Sequence, residues 1–232
     1  MNKIYRLIFN PSRGEMVPAA ENARSHGKPS KLISSGAVLM AAILPAAGFA
    51  ADLPGGGQIV AGSGQLNYSQ NALTVTQSSQ KMIVDWNSFS IAPGSRVQFI
   101  QPSATAAALN RVTGSDASVI QGQLNANGQV FLVNPNGVLF TASSQVNVGS
   151  LVASTLAISN SDFLNGDYLF SGNSDKAVTN LGSIHAAPGG VVSMIAAKIE
   201  NTGSISADGG QVLLGAGSTV TLDLGMRLKL HV

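Results

Sequence analysis

Two stretches in the second half of the chain repeat one pattern about 20 residues apart. The segment that begins at Asn180, NLGSIHAAPGGVV, is echoed from Asn201 by NTGSISADGGQV, and a third copy begins at Gly122. The shared pattern is Gly-x-[Ile/Leu]-x-Ala, a turn, then a glycine and a β-branched run. A period near 20 with short strands is typical of a solenoid in which each repeat forms one coil.

Strand-like segments fill the chain after residue 50, and no long helical stripe of apolar residues accompanies them. They include Ala72–Thr76, Lys81–Val84, Val97–Ile100, Gln129–Val133, Gly137–Phe140, Val191–Ile195, Val212–Leu214 and Thr219–Leu222. The leucine-rich repeat has the same period, but its Leu and Asn spacing is missing. The sequence therefore predicts an all-β parallel β-helix, and about 180 residues at about 20 per coil give roughly nine coils.

The repeat also predicts which side chains face inward. Leu124, Ile184 and Ile205 occupy equivalent positions and are expected to stack from coil to coil, while Ser, Gln, Asn and Thr face solvent. An open solenoid end invites edge pairing, so we expect the irregular residues 52–75 to cap the first coil.

The first fifty residues read as a long secretory signal peptide. Six Lys or Arg lie within residues 1–31, followed by the uncharged run LISSGAVLMAAIL and a small-residue segment that ends at Ala50. This order of basic, apolar and cleavage regions predicts export by the general inner-membrane machinery, with cleavage between Ala50 and Ala51. The apolar run is too short for a retained membrane span, which needs about 20 residues.

Charge and cysteine content exclude several function classes for the part after the leader. Residues 51–232 hold seven bases and nine acids, so the basic balance of the whole chain belongs to the leader and gives no evidence of nucleic-acid binding. The chain has no cysteine, hence no disulfide and no thiolate site. The histidines lack metal spacing and the acids are scattered, so we expect no metal, cofactor or catalytic residue.

The most specific internal string is FLVNPNGVLF, which contains Asn134, Pro135, Asn136 and Gly137. Asparagine suits the first position of a β-turn, proline presets φ at the second and glycine suits the fourth. On these grounds the string predicts a strand, a tight turn and another strand.

The chain resembles the N-terminal secretion domain of two-partner-secretion exoproteins, the group of filamentous haemagglutinin and the high-molecular-weight adhesins. Several strings carry the resemblance in order: the leader MNKIYRLIFN, Asp85–Ile91, Val97–Phe99, Gln101–Ser103, ALNRV at residues 108–112, NPNG at 134–137, Ala153–Leu156 and Phe163. Together they span nearly all of residues 1–225.

The resemblance implies a right-handed parallel β-helix with an N-terminal cap and a non-enzymatic role as a secretion signal. The implied partner is an outer-membrane β-barrel transporter whose periplasmic modules recognise the extended chain before it is released at the cell surface of a Gram-negative bacterium. Asn134, Pro135, Asn136 and Gly137 then either contact that partner or only hold the turn, and both interpretations stay open. The host-surface ligand of any passenger is unknown from these residues.

Two alternatives remain at this point. A secreted β-helical carbohydrate-active enzyme would need clustered acids and a basic residue in one groove, and the front end of a contact-dependent toxin would differ only downstream. We divide the chain into a cleaved signal peptide (1–50), a secretion domain (51–225) and an atypical tail (226–232). The tail does not continue the pattern, from which we expect a truncated protein.

Overall fold

A computed structural model of the protein describes residues 5–10, 15–20, 53–222 and 228–230. The chain divides into two units, residues 1–44 and residues 45–232. In the first unit, strands β1 (Tyr5–Asn10) and β2 (Glu15–Ala20) pair antiparallel. Ala50 and Ala51, the expected cleavage position, lie outside the described residues. No helix in the described parts of the chain has the length and apolar character that a membrane span requires.

The second unit is almost entirely β-structure. Its elements are, in order, β3 (Gln58–Ala61), β4 (Gly64–Ser69), β5 (Ala72–Gln77), β6 (Lys81–Trp86), β7 (Arg96–Ile100), β8 (Ala107–Val112), β9 (Ser118–Ile120), β10 (Gln123–Ala126), β11 (Gln129–Val133), β12 (Val138–Phe140), β13 (Gln145–Val148), β14 (Ser150–Ser154), α1 (Asn160–Asn165), β15 (Tyr168–Ser171), β16 (Ala177–Asn180), β17 (Ser183–Ala186), β18 (Val191–Ala196), β19 (Lys198–Asn201), β20 (Ser204–Ala207), β21 (Gln211–Ala216), β22 (Thr219–Leu222) and β23 (Leu228–Leu230).

Three sheets run along the solenoid. The first sheet has the order β4-β5-β7-β10-β13-β17-β20, the second β3-β6-β8-β11-β14-β18-β21, and the third β9-β12-β16-β19. Strands of successive coils pair parallel, which confirms the predicted parallel β-helix. At the start of the solenoid, β3 pairs antiparallel with β6, and β4 pairs antiparallel with β5. Strands β3 and β4 form the N-terminal cap. The cap is shorter than expected, because Ala72 already begins a parallel strand.

The solenoid has about seven turns, so the prediction of nine coils is wrong. Stacked positions Ser183 and Ser204 lie 21 residues apart, as the repeat indicates, but Gln145 and Ser183 lie 38 apart. Between the latter two, the chain leaves the solenoid to form α1 and β15. β22, predicted as another coil strand, instead pairs antiparallel with β15. The residues that form the cap, α1 and β15 add no coil to the solenoid, which is why it has fewer turns than its length predicts.

The predicted inward ladder is confirmed. Leu124 pairs with Val146, which pairs with Ile184, which in turn pairs with Ile205. Leu124 and Ile184 are buried, and Ile205 packs against the same core from the last coil. Burial of each such side chain contributes about 1.5–3 kcal/mol relative to exposure.

Glycines line the corner where the chain enters the second sheet. A Cβ on Gly149 would lie 2.6 Å from the carbonyl oxygen of Gly128, and one on Gly190 would lie 2.0 Å from that of Gly149. A Cβ on Gly210 would meet the Gly190 carbonyl oxygen in the same way. The second glycine of the sequence repeat is therefore explained by the close approach of successive backbones.

The second sheet is buried on both faces. Its inner strands from β6 to β18 show near-continuous burial, including all six residues of β18, which is typical of covered parallel sheets, whereas the edge strands β3 and β21 are largely accessible. One face lines the solenoid core, and the other packs under α1 and an antiparallel outer sheet with the order β15-β22-β23. Phe131 of the second sheet contacts the rings of Phe163 and Tyr168 at centroid distances of 5.3 and 4.9 Å.

Helix α1 was not expected, because six residues are too few to show a helical period. Ser159 caps its start, where the hydroxyl accepts from the Asp162 amide, and Gly166 ends it in the left-handed region.

We expect Gly190→Ala to destabilise the domain by about 1–3 kcal/mol, because the added methyl group meets a backbone oxygen that cannot give way. Urea unfolding followed by circular dichroism measures the loss. The matched control is Gly172→Ala, where a Cβ would make ordinary 3.7 Å contacts. Equal midpoints for the two variants would contradict the role given to the glycine column.

Candidate partner-recognition turn

Asn134, Pro135, Asn136 and Gly137 form a tight turn between β11 and β12. The Gly137 amide donates to the Asn134 carbonyl oxygen at 3.0 Å. The Asn134 side-chain oxygen accepts from the Asn136 amide at 2.9 Å, which closes a second ring inside the turn. Gly137 has φ of +113°, a region that favours glycine. Hydrogen bonds within these four residues, together with the conformation of Gly137, therefore stabilise the turn.

Asn134 also ties its coil to both neighbours. Its side chain is fully buried, and Nδ2 donates to the Asp116 carbonyl oxygen at 2.9 Å and to Ser118 Oγ at 3.0 Å in the preceding coil. Its backbone amide donates to the Ser154 carbonyl oxygen at 2.9 Å in the next coil. Every polar atom of this side chain is thus used inside the domain.

The other turn residues are more accessible. Asn136 is half-buried, and its Nδ2 donates to the Gly114 carbonyl oxygen at 2.9 Å. Pro135 is exposed, and its carbonyl oxygen accepts from Ser174 Oγ at 2.6 Å. In the folded domain, a partner could reach the Pro135 ring and part of Asn136. The contacts from Asp116, Ser118 and Ser174 had no sequence signal, because backbone acceptors and single serines carry no motif.

The excursion that follows β14 is clasped to the solenoid by Lys81. Its Nζ donates to the carbonyl oxygens of Phe163 and Leu164 at 3.0 and 2.9 Å, and lies 5.7 Å from the centre of the Tyr168 ring. These carbonyls belong to the last turn of α1, which lacks intrahelical partners for them. Burial lowers the pKa of Lys81, and the nearby Asp167 carboxylate acts in the opposite direction.

The start of α1 is held by a second cation. Arg111 lies on β8, and its Nη2 is 2.8 Å from Asp85 Oδ1 on β6. Its Nη1 donates to the Asn160 side-chain oxygen at 2.8 Å. Arg111 belongs to the ALNRV string of the sequence, and this pair of contacts gives that arginine a structural role.

Two other residues that the sequence analysis considered have ordinary contacts. Trp86 is fully buried, stacks edge-on with Phe89 at 5.5 Å and donates from Nε1 to Asn110 Oδ1 at 3.1 Å. His185 Nδ1 lies 2.7 Å from Ser206 Oγ, its partner in the next coil. Within residues 53–222 no three His, Asp or Glu side chains come together as metal ligands would.

Comparison with known proteins identifies the family. The family described as TPS secretion domain matches residues 52–229, and the Extended Signal Peptide of Type V secretion system matches residues 1–50. The chain belongs to the TPS secretion domain family. It is a secretion domain of a two-partner-secretion exoprotein, exported through the periplasm of a Gram-negative bacterium. A dedicated outer-membrane transporter is the partner that this mode of secretion uses.

Relatives and a solved structure agree with this assignment. Two heme/hemopexin-binding proteins of Haemophilus influenzae are 45% identical over 106 residues and 49% identical over 83, or 46% and 36% of this chain. These matches cover only 12% and 9% of the relatives. The HMW1 secretion domain of the same species superposes with a TM-score of 0.74 at 32% identity, over 77% of this chain and 49% of that one.

We expect Asn134→Ala to destabilise the domain by about 1–3 kcal/mol, because the Asp116 carbonyl oxygen and the Ser118 hydroxyl of the preceding coil lose their donor. Asn136→Ala should cost less, and Pro135→Ala should lie within about 0.5 kcal/mol of the parent chain. Urea midpoints of the three variants test this order. A Pro135→Ala variant as unstable as Asn134→Ala would show that burial does not set the ranking.

Alkaline pH should loosen the outer sheet through Tyr168. Burial raises the pKa of its phenol above the ordinary value of 10.0, so above that pH the unfolded chain loses its proton first and stability falls as pH rises. We expect Tyr168→Phe to lose less stability than the parent between pH 9 and 11. Thermal unfolding across this range measures the difference, and parallel pH profiles would refute it.

Proposed function

We propose that the outer-membrane transporter recognises this domain while its chain is still extended, after cleavage between Ala50 and Ala51. Periplasmic modules of the barrel would pair with segments of the chain by β-augmentation, in which backbone hydrogen bonds supply the affinity. The domain then crosses the pore, folds outside and offers its last coil as a template for following coils.

The burial of Asn134 is the observation that carries this proposal. A side chain with no accessible atom cannot be read by a partner once the domain has folded, whereas in an extended chain its amide is free. The same holds for the backbone of β11, which is bonded to β8 and β14 in the folded domain. Recognition of these segments therefore belongs to the state before folding.

Secretion with and without the cognate barrel tests the proposal. The chain is expressed in a Gram-negative host, and the medium is assayed for a species that begins at Ala51. We expect release that depends on the barrel. Processed chain that stays in the periplasm despite the barrel would reject the proposal.

Recognition by sequence can be separated from folding with two buried asparagines. Asn134→Ala is compared with Asn110→Ala, since Asn110 is also fully buried and bonds to Trp86 and to the Phe131 carbonyl oxygen. If the barrel reads the turn, only Asn134→Ala blocks release. If both variants lose release in proportion to stability, the turn serves folding alone.

We infer further that the exoprotein is a non-enzymatic adhesin. The likeness to the HMW1 secretion domain supports the adhesin group. Binding of heme or hemopexin is the second candidate, supported by the names of the two relatives. Binding of the secreted product to host cells, compared with its binding to heme and to hemopexin, separates these two functions.

A further inference from the structure

A groove of about 680 Å³ crosses the turns that lead into the first sheet. It runs over four successive strands, β5, β7, β10 and β13, and its wall is rich in amide side chains. The polar groups that matter here are Gln70, Asn71, Arg96, Gln121, Gln123 and Gln145. The lining contains no Asp, Glu or Lys, so the groove is neutral apart from one guanidinium.

Arg96 differs from the other cations of residues 53–222. Lys81 and Arg111 hold the ends of α1, and Lys176 and Lys198 form ion pairs with neighbouring acids. The Arg96 side chain is exposed and contacts no acid or carbonyl group in this part of the chain. A cation without an internal partner, placed in a groove without acids, is free to bind an anion.

The amides of the groove are arranged in register with this cation. Arg96, Gln123 and Gln145 are direct neighbours in parallel pairing and all three are exposed. Strand pairing spaces such side chains by about 4.8 Å, which is close to the length of one sugar ring. Ala72, the next neighbour of Arg96, is small and leaves room above the guanidinium.

We propose that this groove binds a linear acidic oligosaccharide in which one carboxylated sugar lies between neutral ones. The guanidinium would hold the carboxylate through two parallel hydrogen bonds, the strong charge-assisted geometry. Amide groups both donate and accept, which suits the hydroxyls and acetamido groups of the flanking sugars. This binding activity is separate from the secretion role and does not depend on it.

The same features exclude other occupants. A single cation cannot neutralise the many charges of a sulfated glycan or of nucleic acid, whose binding rises with the number of contacted anions. Most glycoside hydrolases use a pair of carboxyl groups, and the groove lining has none. The site is therefore built for binding without hydrolysis.

Hyaluronan oligosaccharides, in which a glucuronate alternates with N-acetylglucosamine, are the probe of choice. Titration calorimetry of the purified chain with a hyaluronan hexasaccharide is compared with a heparin hexasaccharide and a neutral chitin hexasaccharide. We expect saturable binding of hyaluronan, and binding of the other two that is at least several-fold weaker. Arg96→Gln should weaken hyaluronan binding about tenfold or more, and Gln123→Ala by a smaller factor.

The matched control is Lys198→Gln, which removes one exposed positive charge outside the groove and should leave affinity unchanged. Thermal unfolding of both variants confirms that each is folded. Absence of hyaluronan binding, tighter binding of heparin, or equal losses in Arg96→Gln and Lys198→Gln would each overturn the proposal. Hyaluronan binding that Arg96→Gln weakens strongly, Gln123→Ala weakens less and Lys198→Gln leaves unchanged establishes the site.

Discussion

Backbone hydrogen bonding between successive coils is the constraint on which the rest of this structure depends. A coil in the middle of the solenoid cannot satisfy its own amides and carbonyls, so each must lie one strand spacing from its neighbours on both sides. At the corners this leaves no room for a side chain between Gly149 and Gly190, and in the core it forces Leu124, Val146 and Ile184 into a column. The position of the glycines and the column of core residues both follow from that spacing.

The Asn134 turn applies the same principle with a side chain. No strand pairing is available at the turn between β11 and β12. There the side-chain amide of Asn134 makes the hydrogen bonds to the preceding coil, and its backbone N–H makes the one to the next coil. The outer face of the second sheet must be shielded from solvent in another way, because its apolar residues point away from the solenoid core. α1 and the outer sheet supply that cover, and Lys81 and Arg111 fasten α1 at its two ends.

The sequence predicted what is periodic and missed what is not. The Gln129–Val133 strand and the stacking of Ile184 on Ile205 follow from patterns that repeat with the coils. The outer sheet pairs β15 with β22, which are separated by about fifty residues and do not belong to the repeat. The spacing of the sequence repeat therefore gives no signal for this pairing. A usable signal was the segment Val191–Ala196, where five of six residues are apolar with only Ser193 between them, since a strand exposed on one face would alternate. At the turn, the residue types predicted the geometry, whereas the acceptors of Asn134 are backbone and hydroxyl oxygens that no motif marks.

The outer sheet also determines whether coils can be removed from one end of the domain without disturbing the rest. A plain solenoid can be shortened from one end coil by coil, because each repeat depends only on its neighbours. Here Tyr168 and Phe170 lie on β15, and β15 pairs with β22, the last strand within residues 53–222 and about fifty residues later in the chain. The cover over Phe131 is thus complete only when Leu222 is in place. This couples early coils to late residues, so the described solenoid and its cover depend on each other and cannot be divided into separable coils without exposing that face.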